Sequence, residues 1–164
     1  RSYKSVGGDS YHTTVRFEAD DNEKIFGMGQ YQQSYLNLKG CSFELAQKNT
    51  QASVPFQLSS SGYGFLWNNP AVGRATFGNN MTEWDAESCR EIQYWITAGD
   101  TPSEILENYM QVTGLPPIMP EYALGFWQCK LRYQTQEELL TVAREYYRRK
   151  IPVKVMVVDF FFFF

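Results

Sequence analysis

The chain has 164 residues, of which 43% are hydrophobic and 16% aromatic, and its formal net charge is −3. This length fits one domain with part of a second, and the apolar content is sufficient for an ordinary core. Because positive and negative side chains are interspersed, the composition provides neither the basic footprint of a nucleic-acid-binding protein nor a polybasic patch for a membrane.

The three cysteines, Cys41, Cys89 and Cys129, have no Cys-x-x-Cys spacing. This pattern indicates neither a zinc site nor a closed disulfide framework, and we expect free thiols in a reducing cytosol. His12 is the lone histidine, and the absence of Ser and Asp partners for it excludes a catalytic triad. The residues after Arg1 lack the charged segment followed by an apolar segment that is typical of a secretion signal, although secretion stays open. We expect no metal and no cofactor.

Short β-type runs separated by turn residues extend from residue 10 to residue 95. The clearest predicted strands are 11–17, 53–59, 64–67 and 91–98. In the last of these, Ile92, Tyr94 and Ile96 are expected on one face because strand side chains alternate. Many short strands at this spacing indicate an antiparallel sandwich.

The pattern changes to helical near Asp100. Thr101 as N-cap, Pro102 in the first turn and Glu104 as the partner of the cap predict a helix over 102–113. Its predicted apolar stripe is Ile105, Leu106, Tyr109 and Val112. Gly114 ends the helix, and the proline-rich stretch 115–120 is interpreted as a linker between domains.

Beyond the linker, two apolar runs flank a second helical pattern. Residues 122–128 are predicted as a buried strand followed by a polar loop, 129–133, and residues 153–158 as a second buried strand. Between them, Thr135 and Glu138 form a second capping-box pattern. Near-continuous apolar strands around a helix indicate a β-α-β unit with parallel strands and a right-handed connection.

Three segments, taken together and in order, resemble glycoside hydrolase family 31. Phe26-Gly27-Met28-Gly29-Gln30 is similar to the family's Tyr-Gly-Leu-Gly-Glu segment, although Gln replaces the usual Glu. Residues 54–70, with Ser-Ser, Gly-Tyr-Gly and Asn-Asn-Pro, are similar to its sandwich segment. Residues 113–139, followed by Val157-Val158-Asp159, are similar to the beginning of its catalytic domain.

The resemblance implies a galactose-mutarotase-like β-sandwich over residues 1–115, followed by the β-α-β start of a (β/α)8 TIM barrel over residues 116–164. The family's nucleophile and acid/base, both Asp, are expected beyond residue 164, so that a truncated chain would be inactive alone. Four acidic residues are predicted in solvated sandwich loops instead: Asp20, Asp21, Glu83 and Asp85.

The resemblance also assigns substrate-binding residues. Asp159 matches the family position that hydrogen-bonds the sugar next to the scissile bond, at the carboxyl end of the second barrel strand. Lys130, Leu131 and Arg132 leave the first strand at that end and are predicted to face the sugar or the leaving group, although the aromatic residue of many relatives is missing there. Phe160 matches an aromatic cluster of the xylosidase-like branch, and the last three residues of its five-Phe run support no functional inference.

The implied activity is that of a retaining α-glycosidase that hydrolyses terminal α-linked xylose or glucose from oligosaccharides or glycosides. Alternatives within the family are an α-galactosidase and a transglycosylase, and an alternative outside enzymes is a non-catalytic carbohydrate-binding sandwich module. The β-α-β pattern after Pro120 favours an enzyme, because a binding module has no use for part of an open barrel. A homo-oligomer stays open.

Overall fold

The structure, a computed structural model, describes residues 1–159. The chain divides into two units, Arg1–Leu115 and Pro116–Phe164, of which the second is described as far as Asp159. Neither of the two α-helices in the described residues has the length and apolar character that a membrane crossing requires.

Residues 1–115 contain nine strands, which form two antiparallel sheets. The strands are β1 (Ser2–Gly7), β2 (Ser10–Glu18), β3 (Ile25–Gln30), β4 (Ser42–Leu45), β5 (Ala52–Ser59), β6 (Tyr63–Trp67), β7 (Gly73–Phe77), β8 (Met81–Cys89) and β9 (Tyr94–Ala98). One sheet has the order β1-β2-β8-β7-β4, and the other has the order β3-β5-β6-β9. Only some of these nine strands are predicted from the sequence.

An aromatic core lies between the two sheets. Trp67 of β6 stacks on Trp84 of β8 with ring centroids 6.1 Å apart, and the Phe65 ring lies 5.1 Å from that of Trp84. Because strand side chains alternate, the buried Trp84 shares its face with the buried Thr82 and Ala86. The predicted antiparallel sandwich is therefore confirmed.

The segment Gly27-Met28-Gly29 forms a bulge in β3. All three residues have positive φ, and the register with β5 shifts between Gly27 and Gly29. A Cβ atom on Gly29 would lie 2.2 Å from the carbonyl oxygen of Ala52, so only glycine fits there. The bulge buries the Met28 side chain completely.

Two of the acidic residues predicted in loops lie in β8 instead. Glu83 pairs with Arg16 of the adjacent strand. Asp85 Oδ1 lies 3.7 Å from Nε2 of His12, so the expectation that His12 has no Asp partner is also wrong. Desolvation raises the pKa of Asp85, and the charge of His12 opposes this shift. Polar residues alternate with buried ones along β8, which explains the error: alternation, and not charge, decides strand membership.

The strand predicted over 91–98 begins later, at Tyr94. Its pairing with β6 starts at the partners Trp67 and Tyr94. Ile92 and Tyr94 pack against the core, whereas Ile96 is exposed. The predicted shared apolar face is therefore only partly buried.

Helix α1 (Pro102–Thr113) follows the predicted bounds. Thr101 Oγ1 accepts the N–H of Glu104, and the Glu104 carboxylate accepts the N–H of Thr101, which confirms the capping box. The N–H of Gly114 donates to the Met110 carbonyl at the other end. Local cap chemistry thus fixes both ends of this helix.

Only half of the apolar stripe predicted for α1 is used in packing. Ile105 is buried, and the Tyr109 ring stacks on Phe56 with centroids 4.3 Å apart. Leu106 and Val112 are exposed in the described structure. The helix therefore contacts the sandwich along a narrower line than its sequence suggests.

The second unit contains a parallel β-α-β segment. Its elements are a 3-10 turn (Glu121–Leu124), β10 (Trp127–Lys130), α2 (Gln136–Arg148) and β11 (Val155–Val158). β10 and β11 pair in parallel, from Trp127 opposite Val155 to Lys130 opposite Val158. The predicted parallel pairing is confirmed, and assignment of this segment to a barrel stays a prediction.

The bounds and burial of these strands differ from the prediction. The run 122–128 is not one strand, because Pro120 starts a 3-10 turn and pairing begins only at Trp127. Cys129 and Lys130 belong to β10 and not to the loop after it. Burial of both strands is also wrong for the described residues: Trp127 is 49% exposed, because only one face of the sheet contacts α2.

Candidate functional site

The carboxyl ends of β10 and β11 lie side by side. Lys130 is the register partner of Val158, so the next residues, Leu131 and Asp159, leave the sheet at the same edge. In α/β proteins with parallel strands, this is the edge at which ligands bind. We call this edge the strand-end site, and its residues are Cys129, Leu131, Arg132 and Asp159.

The side chains of β10 divide between two faces. Tyr146 Oη of α2 donates to Gln128 Oε1 at 2.5 Å, and Lys130 Nζ donates to Glu138 Oε1 at 2.5 Å, so Gln128 and Lys130 face the helix. Because successive strand residues alternate, Cys129 projects from the opposite face.

Asp159 lies on the same face as Cys129. The partner of Cys129 is Val157, and Asp159 is two residues further along the same strand direction. The Cys129 thiol donates to Asp159 Oδ2 at an S–O distance of 3.7 Å. Desolvation, followed by the charge of Asp159 and this hydrogen bond, raises the pKa of the Cys129 thiol. The sulfur therefore stays protonated, and able to donate, at neutral pH.

Contacts on the helix side hold the loop after β10. Tyr133 is buried, and its hydroxyl accepts a hydrogen bond from Gln128 Nε2 at 3.3 Å. Lys130 Nζ lies 5.7 Å from the centroid of the Tyr133 ring, within cation–π range. Glu138 accepts the N–H of Gln134 at 2.8 Å, and its hydrogen bond to Lys130 lowers its pKa. The loop is thus fixed at both ends.

A tight turn presents Leu131 and Arg132. The N–H of Arg132 donates to the Lys130 carbonyl at 2.6 Å, which closes a γ-turn around Leu131. Arg132 has a φ of 70°, which is uncommon for a residue other than glycine. The side chain of Leu131 is 78% exposed.

Three of the predicted site residues, Asp159, Leu131 and Arg132, meet at this edge, and their contact with a sugar stays a prediction. Lys130 belongs to β10 and pairs with Glu138 on the helix side of the sheet, so the structure does not place it with these three residues. Phe160 lies outside the described residues. Cys129 was missed, and the two-residue alternation back from the strand end is the signal that identifies it.

Within residues 1–159, no group of three or more His, Cys, Asp or Glu side chains is arranged to hold a metal ion.

A family model described as the glycosyl hydrolases family 31 TIM-barrel domain matches residues 116–163. The chain is 59% identical to the uncharacterized family 31 glucosidase ORF2 of Pseudescherichia vulneris, over 98% of this chain and 30% of that protein. It is 35% identical to the α-xylosidase of Saccharolobus solfataricus, over 92% of this chain and 22% of that protein.

A solved structure extends the similarity to three dimensions. The family 31 α-xylosidase from a soil metagenome, complexed with xylose, matches with a TM-score of 0.89 and 56% identity, over 98% of this chain and 24% of that one. The chain spans less than a third of the length of each of these relatives. Because the similarity extends over both units, the chain belongs to glycoside hydrolase family 31.

Proposed function

We propose that residues 1–115 form the β-sandwich, and residues 116–164 the first strand, helix and strand of the (β/α)8 barrel, of a retaining α-glycosidase. The observation that carries this proposal is the position of Asp159, directly after β11 at the carboxyl edge of a parallel strand pair. Active sites of (β/α)8 barrels lie at that edge. Family membership provides the glycosidase chemistry.

In this proposal, Asp159 binds the sugar ring that is cleaved. An ionised carboxylate is a hydrogen-bond acceptor only, and its partners here are hydroxyl groups of the ring. Leu131 contributes an exposed apolar surface at the rim, and Arg132 contributes a cationic donor toward the leaving group. Support for these roles comes from the shared edge and from the γ-turn that projects the two residues.

The nucleophile and the acid/base belong, in this proposal, to barrel residues outside 1–164. Retaining hydrolysis needs two carboxyl groups about 5 Å apart, one of them protonated to serve as the acid. Glu138, the carboxylate that holds the loop after β10, is unsuited to that task because Lys130 and the Gln134 N–H stabilise its ionised form and lower its pKa. We therefore expect the 164-residue chain alone to hydrolyse nothing.

The sugar we propose is terminal α-linked xylose, with glucose as the second candidate. The support is that two of the relatives are α-xylosidases, one of them solved with xylose bound. Comparison of kcat/KM for an aryl α-xyloside and an aryl α-glucoside tests this order, and product analysis with an added sugar acceptor separates hydrolysis from transfer.

The variant Asp159→Asn, made in the full-length enzyme, tests the site. A charge-assisted hydrogen bond contributes about 1.5 to 3 kcal/mol, and about 1.4 kcal/mol corresponds to a factor of ten. We therefore expect kcat/KM to fall by about ten- to a hundredfold while the melting temperature stays unchanged. Asp21→Asn, an equal charge change in an exposed sandwich loop, is the control. Unchanged kinetics for Asp159→Asn on both glycosides would contradict the proposed role.

A further inference from the structure

Asp159 carries its carboxylate on a side chain that is exposed at the end of a strand. Such a side chain has free rotation about its two single bonds unless a neighbour restricts it, and a sugar-binding carboxylate must be held within about 0.5 Å of its productive position. The neighbour that the structure provides is Cys129, on the adjacent strand and the same face.

We propose that Cys129 is a positioning residue of the strand-end site, whose thiol holds Asp159 Oδ2 by a hydrogen bond and so orients the carboxylate toward the sugar. This inference rests on the proposed sugar-binding role of Asp159. Cys129 itself does not touch the substrate in this arrangement; it acts through Asp159.

Cys129 is itself held firmly. Its backbone lies within β10, paired with Val157, and the flanking residues Gln128 and Lys130 are both bonded to α2. These contacts keep the sulfur on the sheet face that also carries Asp159. A thiol is a weak hydrogen-bond donor. It therefore restrains the carboxylate while leaving most of the negative charge of Asp159 available to the sugar hydroxyls.

Asp159 in turn keeps the Cys129 thiol in its donor form. The negative charge of Asp159 disfavours a second negative charge on the sulfur, so Cys129 keeps its proton and remains a donor. The effect of Asp159 on the Cys129 thiol also provides a measurement that does not depend on turnover. Loss of the carboxylate charge makes the thiolate easier to form, and the thiolate is the species that reacts with alkylating reagents.

The test is a double-mutant cycle in the full-length enzyme with Cys129→Ala, Asp159→Asn and the double variant. We expect Cys129→Ala to lower kcat/KM by about three- to tenfold, since small misplacement of a binding group is costly. In the Asp159→Asn background the same change should cost less than about twofold, because the two side chains act as one unit. Cys129→Ser, which keeps a donor, should recover part of the loss, and Cys41→Ala is the control for cysteine replacement in the sandwich.

The second measurement is the rate at which iodoacetamide alkylates Cys129 near pH 8, followed by mass spectrometry of its peptide. Asp159→Asn should raise this rate by about two- to fivefold. The positioning inference is overturned, with the proposed function intact, if Asp159→Asn impairs kcat/KM while Cys129→Ala does not. Strictly additive losses with a lowered melting temperature also overturn it, in favour of a packing role. If Asp159→Asn leaves kcat/KM unchanged, the proposed function of the site fails first and the inference fails with it.

Discussion

The two units of the chain use tryptophan in opposite ways. In residues 1–115, Trp67 and Trp84 are fully buried between two sheets, whereas Trp127 of the second unit is half exposed. A pair of sheets covers its own apolar faces, but a two-stranded sheet with one helix covers only one of its faces. Apolar packing in the described chain is therefore concentrated in the sandwich, whereas the β-α-β segment leaves exposed the sheet face that carries Cys129 and Asp159.

The largest difference between the two units is expected when one tryptophan in each is replaced. Trp84→Ala removes a ring that contacts Trp67, Phe65 and Phe77, and we expect a loss of about 3 to 5 kcal/mol in the free energy of unfolding. Trp127→Ala in the same 164-residue chain should cost less than about 1.5 kcal/mol, because half of that side chain is already in water. Urea denaturation measures both values. Equal losses in the free energy of unfolding would show that the second unit depends on its tryptophan as much as the first.

A second test asks whether the bulge of β3 matters to the sandwich. Gly29→Ala should destabilise the protein by about 2 to 4 kcal/mol, since the new Cβ meets the Ala52 carbonyl in addition to the cost of positive φ. Gly40→Ala is the matched control: Gly40 also has positive φ, but nothing lies within 4 Å of its added Cβ. It should cost only about 1 kcal/mol. A similar loss for both would assign the effect to backbone conformation alone.

Alkaline pH distinguishes a partly buried tyrosine of the sandwich from an exposed tyrosine of the second unit. Tyr63 Oη donates to Glu23 Oε1 at 2.6 Å, and burial, followed by Glu23, raises the pKa of Tyr63 from 10.0 to about 12. Because the folded-state pKa is the higher one, the stability from this tyrosine is fully present below pH 10 and is lost as the pH rises through about 12. Tyr63 is only half buried, so screening limits the effect to about 1 kcal/mol.

The measurement is the free energy of unfolding at pH 9 and pH 12 for the wild type and for Tyr63→Phe. The variant should lose less stability than the wild type over this interval. Tyr147→Phe, in the exposed second unit, should leave the wild-type pH dependence unchanged. An identical slope for Tyr63→Phe and the wild type would remove Tyr63 from the alkaline transition.

The smallest effect concerns the helix caps. Thr101→Ala should lower the free energy of unfolding of the sandwich by about 1 kcal/mol, because α1 packs on it through Ile105. Thr135→Ala removes the equivalent cap of α2 and should reduce helical circular dichroism without shifting the near-ultraviolet transition of the buried tryptophans. A shift of that transition by Thr135→Ala would show that the two units unfold together.

Features with a local cause could be predicted from the sequence. Thr101 and Thr135 start their helices where expected, because a cap depends on residues three positions away. Even so, the Glu138 carboxylate accepts the N–H of Gln134 and not that of Thr135, a detail of geometry that the pattern does not contain. The position of Asp159 after a parallel strand was also predictable, from the end of an apolar run.

Features that depend on pairing were not predictable in this way. The start of β10 at Trp127 is set by its register with Val155, and hydrophobicity alone does not distinguish this strand from the turn before it. Glu83 was misplaced because its partner strand, and not its charge, determines its surroundings. The Cys129–Asp159 contact joins residues 30 positions apart and exists only in one register.

The two faces of β10 have a consequence for how this chain can vary among its relatives. Substitutions at Gln128 or Lys130 alter support from α2, and substitutions at Cys129 alter the surroundings of Asp159, so natural variation can change the two properties separately. Insertion or deletion of one residue in the strand would instead exchange the faces and disrupt both at once. We therefore expect homologues to differ here in residue type while keeping the length of β10 constant, a pattern that sequence comparison can test.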